Sequence, residues 1–69
     1  MEIGNKVKYV GDKEILKSQC NEMEIVGIVR EGEQTAYGET NVSGKTLYSC
    51  SVGKLTMLFF EKELEKISK

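Results

Sequence analysis

Few residues in this chain have the types and spacing that chemistry needs. Gly44-Lys45-Thr46 matches the close of a phosphate-binding loop. Such a loop places four residues between its first glycine and the Gly-Lys pair, and it opens a helix whose first amides face phosphate. Here five residues separate Gly38 from Gly44, and the segment after Lys45 reads as a strand. A hairpin turn is expected there, not a nucleotide site. Cys20 sits between Gln19 and Asn21 with Lys17 nearby, as an exposed loop thiol would. A reactive thiolate needs more than one neighbouring cation, so an ordinary loop cysteine is expected. Cys50 lies on an alternating segment and reads as a small core hydrophobe. Glu61, Glu63 and Glu65 alternate with Lys62 and Lys66. Paired carboxylates catalyse only where their surroundings push their pKa values apart. An exposed charged tail does not do that, and a solvated face is expected. The same holds for Glu22, Glu24, Glu31 and Glu33, where no twelve-residue calcium loop is present.

Binding chemistry is better represented. Lys6, Lys8, Lys13, Lys17 and Arg30, with Tyr9 among them, would offer cations for phosphate and a ring for base stacking if they shared one side. Protection of sheet edges is the plainer use of Lys6, Lys8 and Arg30. Tyr37 lies in a polar segment punctuated by Gly32, Gly38 and Gly44. Loops of this length are usually functional or disordered. A tyrosine offers contact area at low entropic cost. A contact loop and a mobile hairpin tip are both consistent with this composition.

The whole chain narrows the classes. It has 69 residues, ten Lys and Arg against eleven Asp and Glu, a net charge of −1 and no histidine. A domain this small buries about 60% of its unfolded surface, so an enclosed substrate pocket would compete with the core. Missing histidine removes the commonest general base and metal ligand. Balanced charge argues against a dedicated nucleic-acid binder. Two cysteines thirty positions apart form neither a redox motif nor a zinc set, and a secreted chain of this size usually carries several disulfides. The N-terminus has no apolar leader run. Met57-Leu58-Phe59-Phe60 is far too short to span a membrane. A reduced, cytoplasmic protein is expected, with Asn41-Val42-Ser43 a chance glycosylation sequon.

Period-two alternation supplies the elements that must position these groups. Lys6 to Val10 puts Val7 and Tyr9 on one face. After Gly11-Asp12, residues 12–21 read as a long ordered loop pinned by Ile15 or Leu16, in which Asp12 would cap at most one helical turn. Glu24 to Arg30 is rich in β-branched residues, and Gly27 within it predicts a bulge or bend. Glu31-Gly32-Glu33 is a turn, Thr35-Ala36-Tyr37 a short strand, and Asn41 to Gly44 another turn. Thr46 to Val52 alternates, with Tyr48, Cys50 and Val52 inward. Gly53-Lys54 makes a tight connection to Leu55–Phe60, which is apolar on both faces and so expected to be the most buried strand. For the tail, strand, a 3₁₀ turn at Glu61–Glu63 and a closing strand at Leu64–Ile67 are expected. A C-terminal amphipathic helix over about 57–68 is the alternative.

Lys6-Val7-Lys8-Tyr9, then Gly27-x-Val29, then Tyr48-x-Cys50-x-Val52, then Phe60-Glu61-Lys62-Glu63-Leu64-Glu65 resemble the layout of the SH3-like small barrels. Similar layouts occur in a small photosystem I subunit and in the barrel half of nitrile hydratase β subunits. The resemblance spans most of the chain, with a longer 33–44 segment than compact members have. It implies a fold, and fold does not imply function. Such barrels mostly bind proteins, peptides or nucleic acid, or brace assemblies.

The reading is therefore one all-β domain over residues 1–69, a small five-stranded SH3-like barrel without catalytic residues, metal or cofactor. Its expected function is a protein-binding or assembly module that uses Tyr37, Tyr9, Lys6, Lys8 and Arg30, together with an exposed strand edge. The alternative is a nucleic-acid-binding regulator using a Lys6/Lys8/Arg30 face. An unidentified protein partner is expected, no membrane is involved, and a homodimer is compatible with an open edge.

Overall fold

The computed structural model describes residues 1–67. Five strands form one antiparallel sheet: β1 (Lys6–Tyr9), β2 (Met23–Val29), β3 (Leu47–Val52), β4 (Leu55–Phe60) and β5 (Leu64–Lys66), in the order β4-β3-β2-β1-β5. The all-β class expected from the alternation is what the chain adopts. Val7 and Tyr9 point inward while Lys6 and Lys8 point out. The inward residues of all five strands meet in one core built from Val7, Tyr9, Met23, Ile25, Tyr48, Cys50, Phe59 and Leu64, with Cys20 beside them. Tyr9 on β1 and Phe59 on β4 are three strand steps apart, about 14 Å in a flat sheet. Their ring centroids are 5.4 Å apart, so the sheet curls around this core.

Gly27 marks the bulge predicted for it. The β2–β3 register shifts between Ile25 and Gly27, which leaves Val26 unpaired and exposed. That extra residue bends β2 and increases local twist. Gly53, at φ +59°, takes the first central position of the two-residue β3–β4 hairpin, where a side chain is disfavoured. The tail follows the expected course: a 3₁₀ turn, η1 (Glu61–Glu63), then β5 paired along β1 from Tyr9↔Leu64 to Val7↔Lys66. The long helix is not formed over the described residues; its last position, Ser68, lies outside them. The Phe60 amide donates to the Glu63 carboxylate at 3.0 Å, and that bond turns the chain out of β4.

Four local expectations are corrected. Residues Glu14–Gln19 form a short helix, α1, in place of a loop; Lys13 is its N-cap, without a side-chain bond, so Asp12 does not cap it. Leu16 is the pin, packed on the core, while Ile15 is exposed. β4 is not the most buried strand, because it lies at the edge of the sheet with a neighbour on one side only; Phe59 alone is buried and Leu55 is exposed. Lys6 and Lys8 guard no edge, since β1 lies between β2 and β5. Thr35-Ala36-Tyr37 forms no strand; one isolated bridge, Gln34↔Thr40, flanks it. The chain reverses too tightly there, through Gly38 at φ +85°. Among the described residues no helix is long and apolar enough to cross a membrane.

Candidate functional site

The residues singled out from the sequence are not gathered into one site. Tyr9 is 4% exposed, with its ring against Phe59 and its hydroxyl accepting from the Lys13 amide at 3.3 Å. It is a core residue, so it is removed from any contact surface. Gly11 makes room for it, since a Cβ there would collide with the Tyr9 ring. Lys6 pairs across the strands with Glu24 at 3.4 Å, and Lys8 with Glu65 at 3.1 Å. Each pair joins residues directly opposite in the register. Exposed pairs of this kind add little stability, but they cancel the charge that a phosphate would seek. Arg30 follows β2, six residues from Glu24 and roughly 20 Å along an extended chain. Lys17 is paired with Glu14 on α1. No basic face is assembled from Lys6, Lys8 and Arg30.

Cys20 also departs from expectation. It is 1% exposed and belongs to the core, because Leu16 and the end of α1 tuck it beneath β1, where its carbonyl accepts from the Tyr9 amide. Cys50 is buried as expected. Burial, and secondarily the neighbouring Cys20, push its thiol up to about 11 from an ordinary 9.0. A thiol held in its protonated form is a poor nucleophile.

Tyr37 is a surface residue. It is 70% exposed, at the tip of a turn that is well tied down. The Thr35 amide donates to the Glu39 carbonyl and the Gly38 amide to the Thr35 carbonyl, while the Thr35 hydroxyl accepts from the Tyr37 and Glu39 amides. Asn41 anchors the rest of the loop. It is 3% exposed, and its side-chain amide donates to the carbonyls of Val29 and Lys45 at 2.9 and 2.8 Å. Its side-chain oxygen accepts from the Ser43 amide and hydroxyl. The Glu31 carboxylate accepts from the Gly44 amide. The loop is therefore an ordered platform tied to the end of β2 and to Lys45 just before β3. The sequence signal for Asn41 was the Asn-x-Ser turn chemistry itself.

From this platform Tyr37 reaches the outer edge of β4, where its hydroxyl donates to the Thr56 carbonyl at 3.4 Å. The two-residue hairpin fixes which main-chain groups lie on that edge. Val52↔Leu55, Cys50↔Met57 and Tyr48↔Phe59 exchange bonds within the sheet, so Thr56, Leu58 and Phe60 turn their N–H and C=O groups outward. The Thr56 carbonyl is met by Tyr37 and the Phe60 amide by Glu63. Among the described residues, none bonds to the amide or carbonyl of Leu58 or to the Thr56 amide, while the Phe60 carbonyl, at the N-cap of η1, accepts from the Glu63 amide. Leu55–Phe60 carries no charge. The edge continues into an open depression of about 500 Å³ lined by Lys45, Thr46, Phe60, Glu61 and Lys62, with the Lys45 ammonium 5.7 Å from the Phe60 ring centre. No sequence signal marks this edge, because strand order is not written in local pattern. Comparison with known proteins gives no matching family model, no matching curated protein and no matching solved structure.

Proposed function

We propose that this chain is a non-enzymatic protein-binding or assembly module with an SH3-like fold, and that it takes an extended partner strand on the outer edge of β4. The strand order, with a 3₁₀ turn before a β5 that returns to β1, supports that fold assignment. The observation that carries the functional reading is the uncharged edge of β4, with the main-chain groups of Leu58 unmet beside an exposed Tyr37. A sheet edge recognises a peptide through main-chain bonds, and adjacent side chains supply selectivity. Tyr37 is the side chain placed to do that. The pairing of Lys6 with Glu24 and of Lys8 with Glu65 weighs against the nucleic-acid alternative that would use them, and balanced charge fits a protein partner in a cytoplasmic setting.

Affinity capture from the source lysate, with and without nuclease, tests this reading. The wild-type chain should retain a stoichiometric, nuclease-resistant protein. Thr56→Pro removes one outward amide without touching a bond inside the sheet, and Tyr37→Ala removes the ring; each should lower recovery severalfold. Full recovery with both variants would refute the edge. Loss of all capture on nuclease treatment would move the nucleic-acid reading ahead.

A further inference from the structure

The two capped groups on β4 have a relation that neither shows alone. In an antiparallel pairing of two copies about a two-fold axis, outward-facing residues must lie opposite outward-facing residues. With Leu58 opposite Leu58 of the second copy, Thr56 lies opposite Phe60. The bonds formed would run from Leu58 amide to Leu58 carbonyl, from Thr56 amide to the second lone pair of the Phe60 carbonyl, which already accepts from the Glu63 amide in η1, and from Phe60 amide to Thr56 carbonyl. The last of these uses the donor taken by Glu63 and the acceptor taken by Tyr37. Both ends of the same intermolecular bond are thus filled by side chains of the chain itself.

We propose that Tyr37 and Glu63 are edge caps that keep β4 from pairing with β4 of a second copy of this chain. A second copy is the occupant that the edge itself favours. Thr56–Phe60 is uncharged, so two copies meet without like-charge repulsion across those five positions. Beyond Phe60 the chain turns away into η1, and before Leu55 it turns back through the Gly53-Lys54 hairpin, which confines the pairing to that stretch. Exposed apolar edges commonly carry a lysine, a proline or a bulge against such pairing. The chain has no proline, its bulge lies on β2, and no lysine stands within β4. Side-chain caps supply the protection those devices would otherwise give. The proposed function and this inference share one edge: a partner strand that bonds to Leu58 leaves both caps in place, whereas the pairing of two copies needs both to give way.

The test is the mass of the full chain in solution, by sedimentation equilibrium up to millimolar concentration. The wild-type chain should sediment at its 7.8 kDa mass. Tyr37→Phe with Glu63→Ala should approach twice that mass in a concentration-dependent way. Tyr37→Phe with Glu63→Gln should dimerise less, because the glutamine carbonyl still accepts from the Phe60 amide. Adding Thr56→Pro to the first pair should restore the single mass. Tyr37→Phe alone keeps the ring and loses one hydroxyl, so it guards against a double variant that fails to fold; it should already raise the average mass. A wild-type dimer, a monomeric Tyr37→Phe, or a dimer that survives Thr56→Pro would each overturn the proposal. These outcomes are read without a partner, so they separate this proposal from the capture experiment.

Discussion

Asn41→Ala should be among the most damaging single changes outside the main core. The substitution deletes a side-chain amide that donates to the carbonyls of Val29 and Lys45, and an oxygen that accepts from Ser43. The Val29 carbonyl keeps the Leu47 amide across the sheet, so what is lost is the net worth of the Asn41 bonds themselves, about 0.5–1.5 kcal/mol each. The Lys45 carbonyl likewise keeps the Ser43 hydroxyl. A total near 2–3 kcal/mol follows, against roughly 3–10 kcal/mol for a domain of this length. At about 4–8 °C per kcal/mol for small domains, the melting temperature should fall by about 10–20 °C. Urea unfolding gives the free-energy loss, and native-state hydrogen exchange locates it. The Gly32 amide, which donates to the Asn41 carbonyl, and the Gly44 amide, held by Glu31, should lose protection before the core strands do. Tyr37 would lose its platform with them. A loss below about 0.5 kcal/mol, the level of an ordinary surface substitution, with unchanged exchange in the loop would refute the assignment of Asn41 as its anchor.

Three further outcomes test the remaining structure. Gly11→Ala places a methyl group against the Tyr9 ring and should cost about 1–3 kcal/mol in urea unfolding, as overpacking does, although Gly11 lies in a turn. Leu16→Ala should cost about 1–2 kcal/mol for a half-buried side chain, whereas Ile15→Ala next to it should change stability by less than about 0.5 kcal/mol; equal effects would mean α1 is not pinned as described. The raised pKa of Cys50 gives a pH window. Between pH 9.0 and about 11 the unfolded thiol releases its proton while the folded one keeps it. Stability contributed by the protonated thiol is therefore full below 9 and lost as pH rises through the folded value. Relative to Cys50→Val, the wild-type chain should lose up to about 2–3 kcal/mol across that window. Parallel pH profiles for the two proteins would show that Cys50 is not held protonated.

The elements were legible because each is local. Alternation marks β1, β2 and β3, the Gly53-Lys54 pair closes the hairpin, and the 3₁₀ turn before β5 follows from Leu58 and Phe59 widening the apolar surface beyond one helical stripe. Gly27 carried its bulge in plain view, since an isolated glycine in a β-branched run has little else to mark. Errors came where exposure depended on what the chain packs against. Leu55–Phe60 has the composition of a buried strand, but its position at the sheet edge leaves one side open. Cys20 has polar neighbours, but the six-residue turn of α1 carries it inward. Tyr9 alternates correctly, and only the curl of the sheet brings Phe59 against it.

For the candidate site the division is sharper. Tyr37 could be chosen from sequence because a tyrosine in a glycine-punctuated loop is unusual, and it is exposed. Lys6 and Lys8 could be named but not weighed, because their partners Glu24 and Glu65 lie 18 and 57 positions away and are set opposite them by register alone. By itself the sequence determined a small all-β domain, its strands and turns, and the residue types available for contact, because side-chain period and turn chemistry are properties of neighbouring residues. Tertiary structure alone decided which strand is an edge, which charges are already paired, and which main-chain groups stay open. Those depend on strand order and on the curl of the sheet, which bring together residues far apart in the chain.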